Sequence, residues 1–143
     1  MNTPDLDRAT ILAAVFDDLR RLDVDVDEDA VGGGRIVSDR GGPCVGLPVV
    51  KEIFGRVGVR TRSLQPEGRT VPASTAVAEV GGPLAAIRGA APLALTWLQR
   101  LGAVASGAVP PEPGNPLDDY ASRLSAPGAV GDDEPSFHLE LEG

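Results

Sequence analysis

The sequence predicts a single α+β domain: a short mixed or antiparallel sheet, covered by helices on one face and ending in a C-terminal edge strand. An α/β arrangement is the alternative, because helical and extended segments take turns along the chain. Three observations carry this expectation. Stretches with apolar residues every three or four positions are followed by stretches with strict apolar–polar alternation. The 18 glycines and 13 prolines among 143 residues ask for many short connections. The hydrophobic fraction of 42% and charged fraction of 24% are those of an ordinary globular chain of one-domain size.

The first helix is expected to begin near Thr3-Pro4. Threonine caps well, proline suits the first helical position, and Asp5 and Asp7 favour the positive end of the helix dipole. Ile11, Leu12, Val15, Phe16, Leu19 and Leu22 form its apolar stripe. Asp23-Val24-Asp25-Val26-Asp27 alternates as a strand does, with its carboxylates on one face. Gly32-Gly33-Gly34 then reads as a turn, and Arg35-Ile36-Val37-Ser38 as the returning strand of a hairpin. Gly41-Gly42-Pro43 reads as a second turn.

Leu47 to Val57 is expected to form the second helix, with Pro48 in its first turn and Gly58 at its end. Val59 to Leu64 alternates again. Laid on the earlier helix–strand unit, Arg60 and Arg62 fall on Asp25 and Asp27, so paired strands would face opposite charges. Residues 65–72 are turn-rich, and residues 74–80 fit a short helix or a strand equally. Gly81-Gly82-Pro83 reads as a turn. Helical segments are expected at Leu84–Arg88 and Pro92–Leu101, with Gly102 as the stop.

The proline-rich run 110–116 is a linker, since proline disrupts helices and central strands. A short helix from Leu117 to Leu124 follows, capped by Asn115. Residues 125–135 read as irregular, and Ser136 to Glu142 as a strand at the sheet edge. The expected organisation is a globular part over 1–109, the linker 110–116, and a segment over 117–143 that packs back.

The formal charge of −8 argues against general nucleic-acid binding. That charge is unevenly laid out. Residues 1–34 hold nine acids and three bases, and residues 110–143 hold eight acids and one base. Between them, residues 35–69 hold seven bases and three acids. Arg35, Arg40, Arg56, Arg60 and Arg62, with Lys51 and Arg69 nearby, are the candidate surface for an anion or acidic partner, because guanidinium forks suit carboxylates and phosphates. The alternative is that these bases neutralise the acidic ends of their own chain.

No complete catalytic or cofactor motif is present. Asp23, Asp25, Asp27 and Asp29 fail as a calcium loop, because neither register supplies Gly at position 6 and Glu at position 12. The glycine triplet lacks dinucleotide-binding spacing. One cysteine, Cys44, excludes an internal disulfide and any multi-cysteine zinc site. Cys44 and the only histidine, His138, would be a thiolate pair if they met, but nothing in the sequence brings them together. No cofactor or metal is expected, and no apolar run is long enough to span a bilayer.

The segment Leu84–Leu101 is nearly without charge. Leu93, Trp97, Leu98 and Leu101 therefore belong either to the core or to an interface. These features favour a cytoplasmic, non-enzymatic accessory or assembly protein that acts through protein contacts or self-association. The alternatives are a small cysteine enzyme using Cys44 and His138, and an anion- or nucleotide-binding regulatory module built on the arginines.

Overall fold

A computed structural model of the protein describes residues 8–22, 30–124 and 136–142. The first helix is α1 (Arg8–Ala14) followed by α2 (Phe16–Arg21). Val15 leaves helical geometry between them, yet its N–H still bonds to the Ile11 carbonyl at 3.0 Å and its carbonyl accepts from Leu19 at 2.8 Å. The apolar stripe is therefore nearly continuous. Ile11, Val15 and Leu19 are buried, as that stripe requires. The expected helix start at Thr3 and the Asp23–Asp27 strand lie outside the described residues, as does the irregular stretch 125–135.

Four strands make one antiparallel sheet in the order β3-β5-β1-β6, where β1 is Val31–Ser38, β3 is Arg60–Ser63, β5 is Thr75–Pro83 and β6 is Phe137–Glu142. Two short strands, β2 (Gly42–Pro43) and β4 (Thr70–Val71), pair separately. Helix α3 (Leu47–Arg56) packs on β3, and helix α4 (Leu84–Ser106) packs on β5, β1 and β6. The chain is an α+β domain, and every strand pair among the described residues is antiparallel. The strand 137–142 takes the sheet edge beside β1, where the sequence placed it.

Several local expectations are corrected. Gly32, Gly33 and Gly34 lie inside β1, not in a turn, and Gly81-Gly82-Pro83 ends β5. The two glycine runs face each other, with Gly32 opposite Gly82 and Gly33 opposite Gly81. Close approach explains Gly34: a Cβ there would lie 2.9 Å from the Glu140 carbonyl oxygen on β6. Residues 74–80, open between helix and strand, belong to β5. The neighbour of β3 among the described residues is β5, and Arg62 meets Glu79 there; the expected pairing with Asp25 and Asp27 falls on a segment outside the described residues.

The two helical segments expected around residues 84–101 are one helix of 23 residues. It passes through Gly89, Pro92 and Gly102 and stops at Gly107, whose φ of 85° ends it in the left-handed region. Pro92 is exposed on this helix, and the Thr96 hydroxyl donates to its carbonyl at 2.7 Å. Helix α5 (Pro116–Arg123) is capped by the Asn115 side chain, which accepts from Leu117 N at 3.0 Å and Asp118 N at 3.3 Å. It packs on α4 and α1. One hydrophobic core runs from Ile11 through Phe54, Ile87 and Leu98 to Leu117 and Phe137. Among the described residues no helix is long and apolar enough to cross a membrane.

Candidate functional site

The arginines nominated by the sequence are spread over β1, the bend after it, β3 and the end of α3. Arg35 lies on β1 and Arg60 and Arg62 on β3. Register sets Arg62, Glu79, Arg35 and Glu140 side by side across β3, β5, β1 and β6. Charge therefore alternates across the row, and Arg62 closes an ion pair with Glu79 at 2.5 Å. Arg40 follows β1 in a bend, beside Asp39. Arg56 ends α3, where a cation suits the negative end of the helix dipole. There it lines a cleft between α1, α2 and α3.

That cleft encloses about 460 Å³. Leu12 and Leu19 supply apolar lining, Phe16 adds a ring, and Arg8, Arg20 and Arg56 supply cations against one carboxylate, Glu52. The Arg8 Nε donates to Glu52 at 3.1 Å, and the Arg20 guanidinium stacks 5.7 Å from the Phe16 ring centre.

A second constellation was not visible in the sequence. The Glu67 carboxylate accepts from Gly46 N at 2.9 Å, from Leu47 N at 3.1 Å, and from the Tyr120 hydroxyl at 2.7 Å. Gly46 holds φ at 111°, and a Cβ there would come within 2.9 Å of a Leu101 methyl, so only glycine presents this N–H cleanly. Burial pushes the Glu67 carboxyl above its ordinary range, although the Tyr120 hydroxyl and the backbone donors pull against that. Its partners are 20 to 53 residues away in the chain, so no local spacing announces it. A similar anchor holds α5: the fully buried Asp118 takes two bonds from Arg100, at 3.0 and 2.5 Å, and one from Glu112 N at 2.9 Å.

Cys44 and His138 are not brought together as a reactive pair. The Cys44 thiol is fully buried, and burial, with help from the nearby Glu67 carboxylate, pushes its pKa up to about 12. Such a thiol is a packing group and not a nucleophile. Both ring nitrogens of the half-exposed His138 are occupied: Nδ1 meets Asp39 and Nε2 lies 3.0 Å from Glu140. These two carboxylates raise the histidine pKa, Glu140 most. Asp39 loses some hydration, which acts upward, but its bonds with His138 and Ser136 outweigh that and its pKa falls. Among the described residues no three His, Cys, Asp or Glu side chains gather to hold a metal ion.

The apolar helix is largely absorbed by the chain itself. Leu98 and Leu101 are fully buried in the core. Leu93 and Trp97 pack against that core with part of their surface open, and the Trp97 indole N–H donates to Asp18 at 3.2 Å.

Comparison with solved structures shows that this α+β fold is shared with chains of about twice the length. The solved chains in question are nicotinate-nucleotide pyrophosphorylases. The enzyme from Francisella tularensis superposes with a TM-score of 0.74 at 18% identity, over 87% of this chain and 54% of its own. NadC from Streptococcus pyogenes gives 0.73 at 19%, over 85% and 53%. The Ehrlichia chaffeensis enzyme gives 0.67 at 14%, over 85% and 54%. The chain therefore spans about half the length of the structures it matches, and at these identities the likeness is one of fold. No family model matches the sequence, and no curated protein matches it either.

This finding overturns the expectation of a non-enzymatic accessory or assembly protein, because nearly the whole chain takes a shape that solved enzymes use. The sequence-based alternatives of a cysteine enzyme and an arginine-based regulatory module fall with it. The buried thiol counts separately against the first.

Proposed function

We propose that the chain supplies the NadC-like portion of an enzyme that acts on nicotinate nucleotide and pyrophosphate, and that further protein supplies the other half of such an enzyme. The observation that carries this reading is the superposition at a TM-score of 0.74 over 87% of the chain. The described residues support the second clause in a different way. Most of their carboxylates are engaged by arginines, by His138, or by hydroxyl and backbone donors, and we assign the reacting groups to the other half. The partly open Leu93 and Trp97 on α4, and the arginines at the β3 edge, are the surfaces we assign to that partnership. The reading places the protein in the cytoplasm, where nucleotides and pyrophosphate are at hand.

The test is made in extracts of the source cell. Deleting the gene is expected to lower the pyrophosphate-dependent cleavage of nicotinate nucleotide, and adding back the purified chain is expected to restore it. Activity that is unchanged by the deletion overturns the reading.

A further inference from the structure

Strand β3 closes one end of the four-stranded sheet, with β5 on one side and no strand among the described residues on the other. We propose that this free edge receives, as a fifth strand, an extended acidic segment of a partner protein, with hydroxyl side chains between its acids. The proposal rests on the reading above, in which further protein completes the enzyme, and it names the kind of segment by which that protein holds on.

The main chain fixes which groups are open. In an antiparallel ladder, alternate residues turn both N–H and C=O toward the same neighbour. The Leu64 N–H donates to the Val77 carbonyl at 2.9 Å, and the register continues with Arg62 opposite Glu79 and Arg60 opposite Gly81. Leu64, Arg62 and Arg60 therefore direct their main-chain groups to β5. Thr61 and Ser63 turn theirs the other way, toward the open edge, and offer two donors and two acceptors in a row. That row is the template an added strand uses. One side-chain atom points to the same need. The Thr61 hydroxyl oxygen is buried and has no hydrogen-bond partner. Thr61 lies opposite the buried Val80, so its side chain is on the core face of the sheet. A residue opposite Thr61 on an added strand has its side chain on that same face, and a threonine or serine there supplies the missing bond.

Charge selects the occupant. Arg60 and Arg62 alternate with Thr61 and so stand on the other face of the strand. Arg60 is exposed, its neighbour on β5 is Gly81, which has no side chain to pair with it, and no hydrogen bond or ion pair joins its guanidinium to a described residue. Arg62 reaches Glu79, yet its side chain is still 76% exposed. In the added antiparallel ladder both arginines fall at non-hydrogen-bonded positions, where facing side chains come closest. Acids at alternate positions of the incoming strand therefore meet both guanidiniums while its threonines or serines meet Thr61. The β3 edge of a second copy would set arginine against arginine, and an apolar strand would leave Arg60 without a partner.

The probe is the acetylated, amidated peptide Glu-Thr-Glu-Thr-Glu-Thr-Glu, titrated into the full chain and followed by amide chemical shifts. Two controls keep its length. One has lysine in place of glutamate. The other carries N-methyl groups on its threonines, which leaves the charge but removes the main-chain donors that face Thr61 and Ser63. We expect the acidic peptide to shift the Thr61 and Ser63 amides saturably. Affinity should fall about tenfold or more for either control, for Arg60→Glu and for Ser63→Pro. Proline suits an edge position whose N–H serves no bond within the sheet, so Ser63→Pro keeps the wild-type circular dichroism. Arg60→Glu changes only an exposed side chain and decides the matter if the proline variant fails to fold. No saturable shift, equal binding of either control, or undiminished binding by Arg60→Glu overturns the proposal. So do shifts of the same amides with protein concentration alone, which would give the edge to a second copy. In the extract assay above, the Arg60→Glu chain should restore less activity than wild type, and equal restoration overturns the assignment of this edge to the completing protein. If deleting the gene leaves that activity unchanged, the enzymatic reading fails, while the titration still decides whether the edge takes a strand.

Discussion

Glu67 shows how one buried side chain can tie distant pieces of a chain together. Its carboxylate joins the start of α3, through Gly46 and Leu47, to Tyr120 on α5. Glu67→Ala is expected to lower stability by about 2–4 kcal/mol, because buried donors would lose their acceptor. The pH behaviour follows from the upward shift. The folded-state pKa lies above the unfolded value near 4.5, so the protonated form is the one that folding favours. That contribution is complete below pH 4.5 and is lost as pH rises through the folded-state value. Wild type should therefore lose stability relative to Glu67→Gln over this window, as read from urea midpoints at a series of pH values. A pH-independent difference would contradict the upward shift. At this scale little was legible in advance. Cys44, His138 and the arginines are conspicuous as residue types, but their partners were not. Glu67 and Asp118 look like ordinary surface acids in the sequence.

At the scale of single elements, the apolar stripes of α1–α2 and α3 were readable because helical period is a local property, as was the Asn115 cap of α5. The errors concentrate where glycine and proline were read as punctuation. Pro92 did not break α4, because the helix is held by core contacts along its length: Ala90, Ala91, Ala94, Leu98 and Leu101 are all buried. Packing energy along 23 residues outweighs one lost backbone bond. The proline still weakens the helix locally. Pro92→Ala at this exposed position should therefore raise stability by about 1–3 kcal/mol, seen as a higher thermal midpoint. A lower midpoint would mean that the proline serves the fold in some other way. Likewise Gly32 to Gly34 stayed in a strand because β5 and β6 close in on both sides.

Across the whole molecule, the charge layout has a use that neither the total nor the segment sums revealed. Two arginines of the basic middle alternate on the sheet with Glu79 and with Glu140 of the acidic C-terminal region, in the order Arg62, Glu79, Arg35 and Glu140. Replacing the central cation tests this. Arg35→Glu would set three carboxylates in adjacent strands. It should reduce stability by roughly 1–2 kcal/mol at low ionic strength, with part of the loss recovered in high salt. Urea unfolding at two salt concentrations measures it, and a salt-independent loss would assign the effect to packing. The apolar α4 segment, open in the sequence between core and interface, goes mostly to the core: Leu98 and Leu101 are fully buried and Leu93 and Trp97 only partly so.

By itself the sequence determined the α+β class, the helix over 47–56, the capped helix after Asn115 and the closing edge strand. Each of these rests on periodicity or on a cap, and both act over a few neighbouring residues. Only the tertiary structure decided strand order, the path of the glycine runs, the unbroken α4 and the likeness to half of a pyrophosphorylase. It alone gathered Glu67 with Tyr120, hid Cys44, and placed Arg56 and Phe16 on one cleft. These depend on contacts between residues far apart in the chain, and such contacts leave no local spacing to read.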